Sequence, residues 1–174
     1  MTLNKSILCV ALSLVAFSQS SMAKDGTINF TGDIVETPCV VASDSQYQDV
    51  NLGQVKSSTF AKAKDTSAFT NFKINLEECN IATLKTATVT FRGTSDVLDT
   101  DLLAVGGEAG AAKGVGIEIS DQAGKIVSMN KASDDTTLVA GQNILYFKAR
   151  YKATAIPVVS GHANAQADFQ LAYK

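Results

Sequence analysis

Over most of this chain apolar side chains fall at every second position, a spacing that an extended strand turns toward one face and a helix scatters around its circumference. Ile28, Phe30 and Ile34 alternate with Thr27, Asn29, Thr31 and Asp33. Phe72, Ile74 and Leu76 do the same against Asn71, Lys73, Asn75 and Glu77, as do Ala87, Val89 and Phe91 against threonines. Val115, Ile117 and Ile119 make a fourth set, and Leu145, Phe147, Ala149 and Tyr151 oppose Lys148, Arg150 and Lys152 in a fifth. Residues 163–173 alternate without error, with Phe169, Leu171 and Tyr173 on the apolar side. Gly-bearing connections at 121–124 and 140–143 suit hairpins, and the small-residue run 106–114 suits a surface loop. Only 58–64 offers a helical turn or two. Such a chain is all-β, and each half-buried strand needs a second layer against its apolar face.

Residues 1–23 stand apart from this pattern. Lys5, an apolar run over 7–17 and the small-residue ending Ser21-Met22-Ala23 read as a secretory signal cleaved before Lys24. The run is about half the ~20 residues that a membrane-spanning helix needs. Cys9 leaves with the signal. Cys39 and Cys79 then remain as an even pair bound for an oxidising compartment, which points to one disulfide. Six to eight short strands and one disulfide suit an immunoglobulin-like β-sandwich.

Composition narrows the chemistry. Fifteen basic and 17 acidic residues give a net charge of -2 with no long basic run, so the chain carries no electrostatic footprint for nucleic acid. His162 is the 1 histidine, which excludes metal sites built on two or more imidazoles and two-histidine acid–base schemes. A hydrolase would have to join His162 to Ser160 and a carboxylate, yet these residues precede a strand and lack a strand-to-helix nucleophile elbow. Asp96, Asp99 and Asp101 lack the glycine and distal glutamate of a calcium-binding EF-hand loop.

The two ends of the processed chain carry the functional signal. Only Lys24 and Asp25 precede Gly26, so the first alternating segment is as free to extend from the domain as to pack into it. Gly32 interrupts its apolar face. A glycine there marks either a β-bulge in an ordinary first strand or a point that another group must approach closely.

Several motifs now fall into one order. Gly32 lies seven positions before Cys39 within Thr27-Ile-Asn-Phe-Thr-Gly-Asp-Ile-Val35, Leu52-Gly-Gln-Val55 follows, and a Phe-x-Ile-x-Leu strand precedes Cys79. Gly161 is the fourteenth residue from the end and Tyr173 is penultimate. With these motifs, the whole sequence resembles the structural pilins of chaperone–usher fimbriae, in particular the major subunits of type 1-like and Pap-like pili. The resemblance implies an incomplete immunoglobulin-like sandwich lacking its last strand, completed by donor-strand complementation, an established case of β-strand addition. Its layout would be a signal peptide over 1–23, an N-terminal donor-strand extension over 24–36 and the incomplete domain over 37–174. Ile28, Phe30, Gly32 and Ile34 would be the donor positions. Gly161, Phe169, Leu171 and Tyr173 would line the acceptor groove that a chaperone first occupies.

The implied partners are a periplasmic pilus chaperone, an outer-membrane usher and neighbouring pilin subunits. The implied destination is a bacterial cell-surface fimbrium, reached through the periplasm and supporting adhesion, with no cofactor, metal or catalysis. A minor, terminating or anchoring subunit is the alternative. A secreted β-sandwich enzyme or a sugar-binding module is a more distant one, and tip adhesins of this family add a separate lectin domain for which this chain has no room.

Overall fold

The computed structural model describes residues 26–32, 34 and 38–174. The expected signal over 1–23 therefore lies outside the described residues, as do Lys24, Asp25, Asp33 and 35–37 of the expected extension. The chain divides into two units, Met1–Val35 and Glu36–Lys174. In the first, residues 26–32 and 34 belong to no strand. Alternation alone predicts one there, but a strand exists only where a second backbone completes its ladder. Ile28, Phe30 and Ile34 are 79%, 92% and 106% exposed.

In the second unit the alternating segments pair as antiparallel ladders. In chain order they are β1 (Val40–Val41), a four-residue helix α1 (Ser43–Gln46), a 3-10 turn (Ser57–Thr59), β2 (Thr70–Cys79), β3 (Thr86–Arg92), β4 (Leu103–Ala104), β5 (Val115–Asp121), β6 (Thr136–Thr137), β7 (Gly141–Ala153) and β8 (Asp168–Tyr173). One sheet runs β1-β2-β7-β5-β4 and the other β6-β3-β8. The expected hairpin at 140–143 is not formed. β6 pairs with β3 and β7 with β2, so this connection carries the chain from one sheet to the other.

The sheets meet through the apolar halves of the alternating runs. Ile74 and Leu76 of β2, Val89 and Phe91 of β3, and Leu145 and Phe147 of β7 are all buried in one cluster. Half-buried Phe72 packs against buried Phe91 and Phe147, with ring centroids 5.0 to 5.9 Å apart, and Phe91 meets the other two edge to face. This is the geometry that aromatic quadrupoles favour.

The disulfide closes one end of the first sheet. Leu76 points inward, so strict alternation would turn Cys79 outward. A register shift between Leu76 and Cys79, with Glu78 at φ 53°, inserts the extra residue that turns Cys79 back toward the core. There it bonds Cys39, 40 positions earlier.

β5 departs from the sequence pattern. Six of its residues, Val115 to Ser120, are buried, so both of its faces are covered. Glu118 is only 2% exposed, and its carboxylate lies 2.6 Å from Arg150 and 3.2 Å from Lys152 on β7. Lys152 also reaches Asp99 at 3.2 Å. Burial disfavours the charge on Lys152, but its hydrogen bonds to Asp99 and Glu118 and their negative charges outweigh this and hold its pKa above the ordinary lysine value. Arg150 stacks on Phe69 at 4.1 Å. A buried carboxylate is tolerable here because two cations satisfy it at once.

Phe147→Ala empties the space between Phe72 and Phe91. It should lower the unfolding free energy by about 3–5 kcal/mol, read as a shifted urea midpoint with unchanged slope.

Candidate functional site

β8 ends the second sheet, and its pairing pattern decides what its free edge offers. The N–H of Lys174 donates to the carbonyl of Thr86, and that of Thr86 donates to Lys174, both at 2.9 Å. Hydrogen-bonded pairs alternate along an antiparallel ladder. The register then gives the bonded pairs as Thr88 with Ala172, Thr90 with Gln170 and Arg92 with Asp168. Phe169, Leu171 and Tyr173 must turn their N–H and C=O groups to the opposite edge, where no strand lies among the described residues.

The side chains of the same three residues face inward but are not fully covered. Phe169, Leu171 and Tyr173 are half-buried against the main core, as are Ala167 and Leu52. Burial raises the pKa of the Tyr173 phenol above its ordinary value. An open backbone edge and an incompletely covered apolar row thus coincide on one strand. Both defects have the same remedy, an added strand with apolar side chains at alternate positions.

Ahead of β8 the row continues into a cleft of about 480 Å³. Val55, Phe60 and Tyr151 line it together with Val158, Gly161 and Ala163. Tyr151 donates its hydroxyl hydrogen to the carbonyl of Ala163 at 3.1 Å, which ties this segment to β7, and burial raises its pKa. Gly53 stands at φ +68°, a left-handed conformation that glycine adopts freely, and its N–H donates to the Asn51 side chain at 2.8 Å.

Gly161 has a different reason to be glycine. A Cβ there would press on the carbonyl oxygen of Gly110 and lie 2.6 Å from backbone atoms of Ala111 and Ala112. The neighbouring His162 exchanges backbone bonds with this loop, donating to Gly110 at 3.0 Å and accepting from Ala112 at 2.9 Å. No side chain fits between two backbones held so closely.

The regular strand is shorter than the alternation suggests. Its ladder begins at Asp168, because β3 ends at Arg92 and offers residues 163–167 no further partner. Ala163 and Ala167 nevertheless keep the inward, half-buried positions. The structure thus sets Phe169, Leu171 and Tyr173 in one row along β8, while Gly161 lies ahead of that strand, packed against the 110–112 backbone. Of the donor positions it shows exposed side chains at Ile28, Phe30 and Ile34 and open space around Gly32. Phe60 and Val158 carry no periodic signal in the sequence, whereas Tyr151 belongs to the alternating run of β7.

The other candidates are spent on local structure. Asp96 accepts the N–H groups of Leu98 and Asp99, while Asp99 and Asp101 pair with Lys152 and Lys131. Ser160 and His162 are exposed.

A family model described as fimbrial protein matches residues 28–174. This chain belongs to the fimbrial protein family. It is 46% identical over 175 residues to Long polar fimbria protein A of Salmonella typhimurium strain LT2, covering 99% of this chain and 98% of that protein. It is 36% identical over 166 residues to the Type-1 fimbrial protein, A chain, of Escherichia coli K12, covering 93% and 91%. Among solved structures it resembles the P pilus rod subunit PapA, with TM-score 0.67, 28% identity and coverage of 79% of this chain and 100% of that one. It also resembles a chain in a chaperone–usher pilus structure that addresses rod uncoiling, with TM-score 0.72, 26% identity and coverage of 87% and 96%. The fimbrial subunit is therefore a structural protein with an immunoglobulin-like fold one strand short.

Gly161→Ala should destabilise the fimbrial domain by about 1–3 kcal/mol, as overpacking does. Urea unfolding of the variant beside the native domain measures it.

Proposed function

We propose that this fimbrial subunit polymerises by lending residues 24–36 to the groove beside β8 of a neighbouring copy. The reading is carried by one conjunction. The chain has an edge whose backbone groups meet no strand among the described residues, above a half-covered apolar row, and it also has an arm with apolar residues at alternate, exposed positions.

Ile28, Phe30 and Ile34 would enter the groove from one face of the arm. Each contributes about 1.5–3 kcal/mol when fully buried. Ordering the arm costs about 1–2 kcal/mol for each of its residues, more in total than three buried side chains return. The exchange is therefore driven also by covering Phe169, Leu171 and Tyr173 and by completing the β8 ladder. Gly32 would sit where the acceptor's core rises to the strand and leaves no room for a side chain.

An unfilled groove is an aggregation hazard. A periplasmic chaperone would occupy it first, with Gly161, Phe169, Leu171 and Tyr173 on the surface it meets. An outer-membrane usher would then bring two subunits together, so that one arm replaces the chaperone and the fibre grows from periplasm to cell surface. No cofactor enters, because replacing one strand by a better-fitting one supplies the free energy, and the role is structural rather than catalytic.

A synthetic peptide covering residues 24–35 should displace chaperone from the purified subunit–chaperone complex and remain bound at one peptide per subunit. The Phe30→Ala peptide should bind about ten- to a hundred-fold more weakly, the equivalent of one lost buried ring. Size-exclusion chromatography and fluorescence anisotropy read both outcomes. A native peptide that releases no chaperone would contradict the donor role and favour a terminating or anchoring subunit.

A further inference from the structure

We infer that the Cys39–Cys79 disulfide is a load bypass, which takes residues 40–78 out of the path of tension along the fibre. The inference rests on the donor-strand reading above. Under that reading, tension enters a subunit through its own arm and leaves through the neighbour's arm seated beside β8. Ile34 of the arm stands five positions before Cys39, and Cys39 precedes every strand of the domain. Among the described residues, the pull therefore reaches this cysteine before any ladder.

Two covalent routes lead on from Cys39. One follows the chain through β1 and β2. The first ladder on that route is the two-residue edge pairing of Val40 with Glu77 and Val41 with Leu76, which opens one pair at a time. The other route crosses the disulfide to Cys79, passes residues 80–85 and enters β3 at Thr86. β3 is the strand that holds β8 over the register from Ala87–Tyr173 to Arg92–Asp168. The N–H of Asn80 also donates to the carbonyl of Pro38 at 2.7 Å, so backbone as well as sulfur joins the flanks of the two cysteines.

The disulfide route omits the 40-position loop. Of two tethers in parallel the shorter one becomes taut first, so the disulfide carries the tension while β1 and β2 stay at rest. Covalent connection thereby replaces a two-residue edge ladder as the first element under load.

Single fibres stretched by force spectroscopy test this, with native subunits compared against Cys39→Ser/Cys79→Ser subunits. Loss of the disulfide should lower the force of first rupture and add a release of about 14 nm, the extended length of the 40-residue loop. A second pull places the tether at Ala82, an exposed position beyond both cysteines, so that the disulfide is no longer in the path. The drop in force should then largely vanish. An equal drop from both tether points would overturn the proposal and leave the disulfide a plain stabiliser, and an unchanged force from the arm would overturn it too. Native subunits that form no fibre at all would fail the donor-strand reading itself, whereas fibres that form but show either contrary result fail the bypass alone.

Discussion

A backbone amide at a sheet edge has a fixed demand for a partner, and in this subunit that demand falls on alternate residues of β8. Phe169, Leu171 and Tyr173 turn their N–H and C=O groups to the open side while their side chains lie half-buried beneath. Water can satisfy the backbone groups, and an apolar cover can satisfy the side chains, but only another strand does both. Every other feature of the fimbrial domain is consistent with keeping this edge open and well formed. The aromatic trio of Phe72, Phe91 and Phe147 fixes the spacing of the sheets. β3 holds β8 from its other side, and Lys174 closes the end of that ladder by bonding Thr86.

The buried ion cluster plays a supporting role on the far sheet. Glu118, Arg150 and Lys152 lock β5 to β7 through charge-assisted bonds, and Asp99 extends the cluster to the loop before β4. An open groove removes part of the apolar cover that a complete sandwich would have. Polar locking on the opposite sheet restrains the remaining strands in their register without adding exposed apolar surface.

Much of this architecture is legible in the sequence, and the exceptions have physical causes. β2, β7 and β8 each turn one face inward, and β3 does so with its apolar residues although Thr88 on its other face is also covered, so these strands print their alternation directly. β5 buries both faces, so Glu118 and Ser120 read as solvent-facing until the register with Arg150 and Lys152 is known. β6 is two residues long and too short to show a period, which is why the connection before β7 reads as a hairpin. The 163–173 alternation overstates β8, because a ladder also depends on where the partner β3 ends. For the site, alternation marks the inward row of β8 and the apolar side of the arm. It says nothing of a missing neighbour, since absence of a partner leaves no periodic trace in the strand that lacks it. The cleft joins Phe60 and Val158, which no period marks, to Tyr151 of β7, and their convergence is visible only once the chain is folded.

Amide hydrogen exchange, followed by NMR for the lone domain and for the same domain bound to a donor strand, tests the central claim most directly. In the lone domain Gln170 and Ala172 should be protected by β3 while Phe169, Leu171 and Tyr173 exchange freely, and binding of the donor strand should slow those three selectively. Uniform protection of all five amides in the lone domain, or no slowing of the three on binding, would contradict an edge that waits for a strand from another subunit.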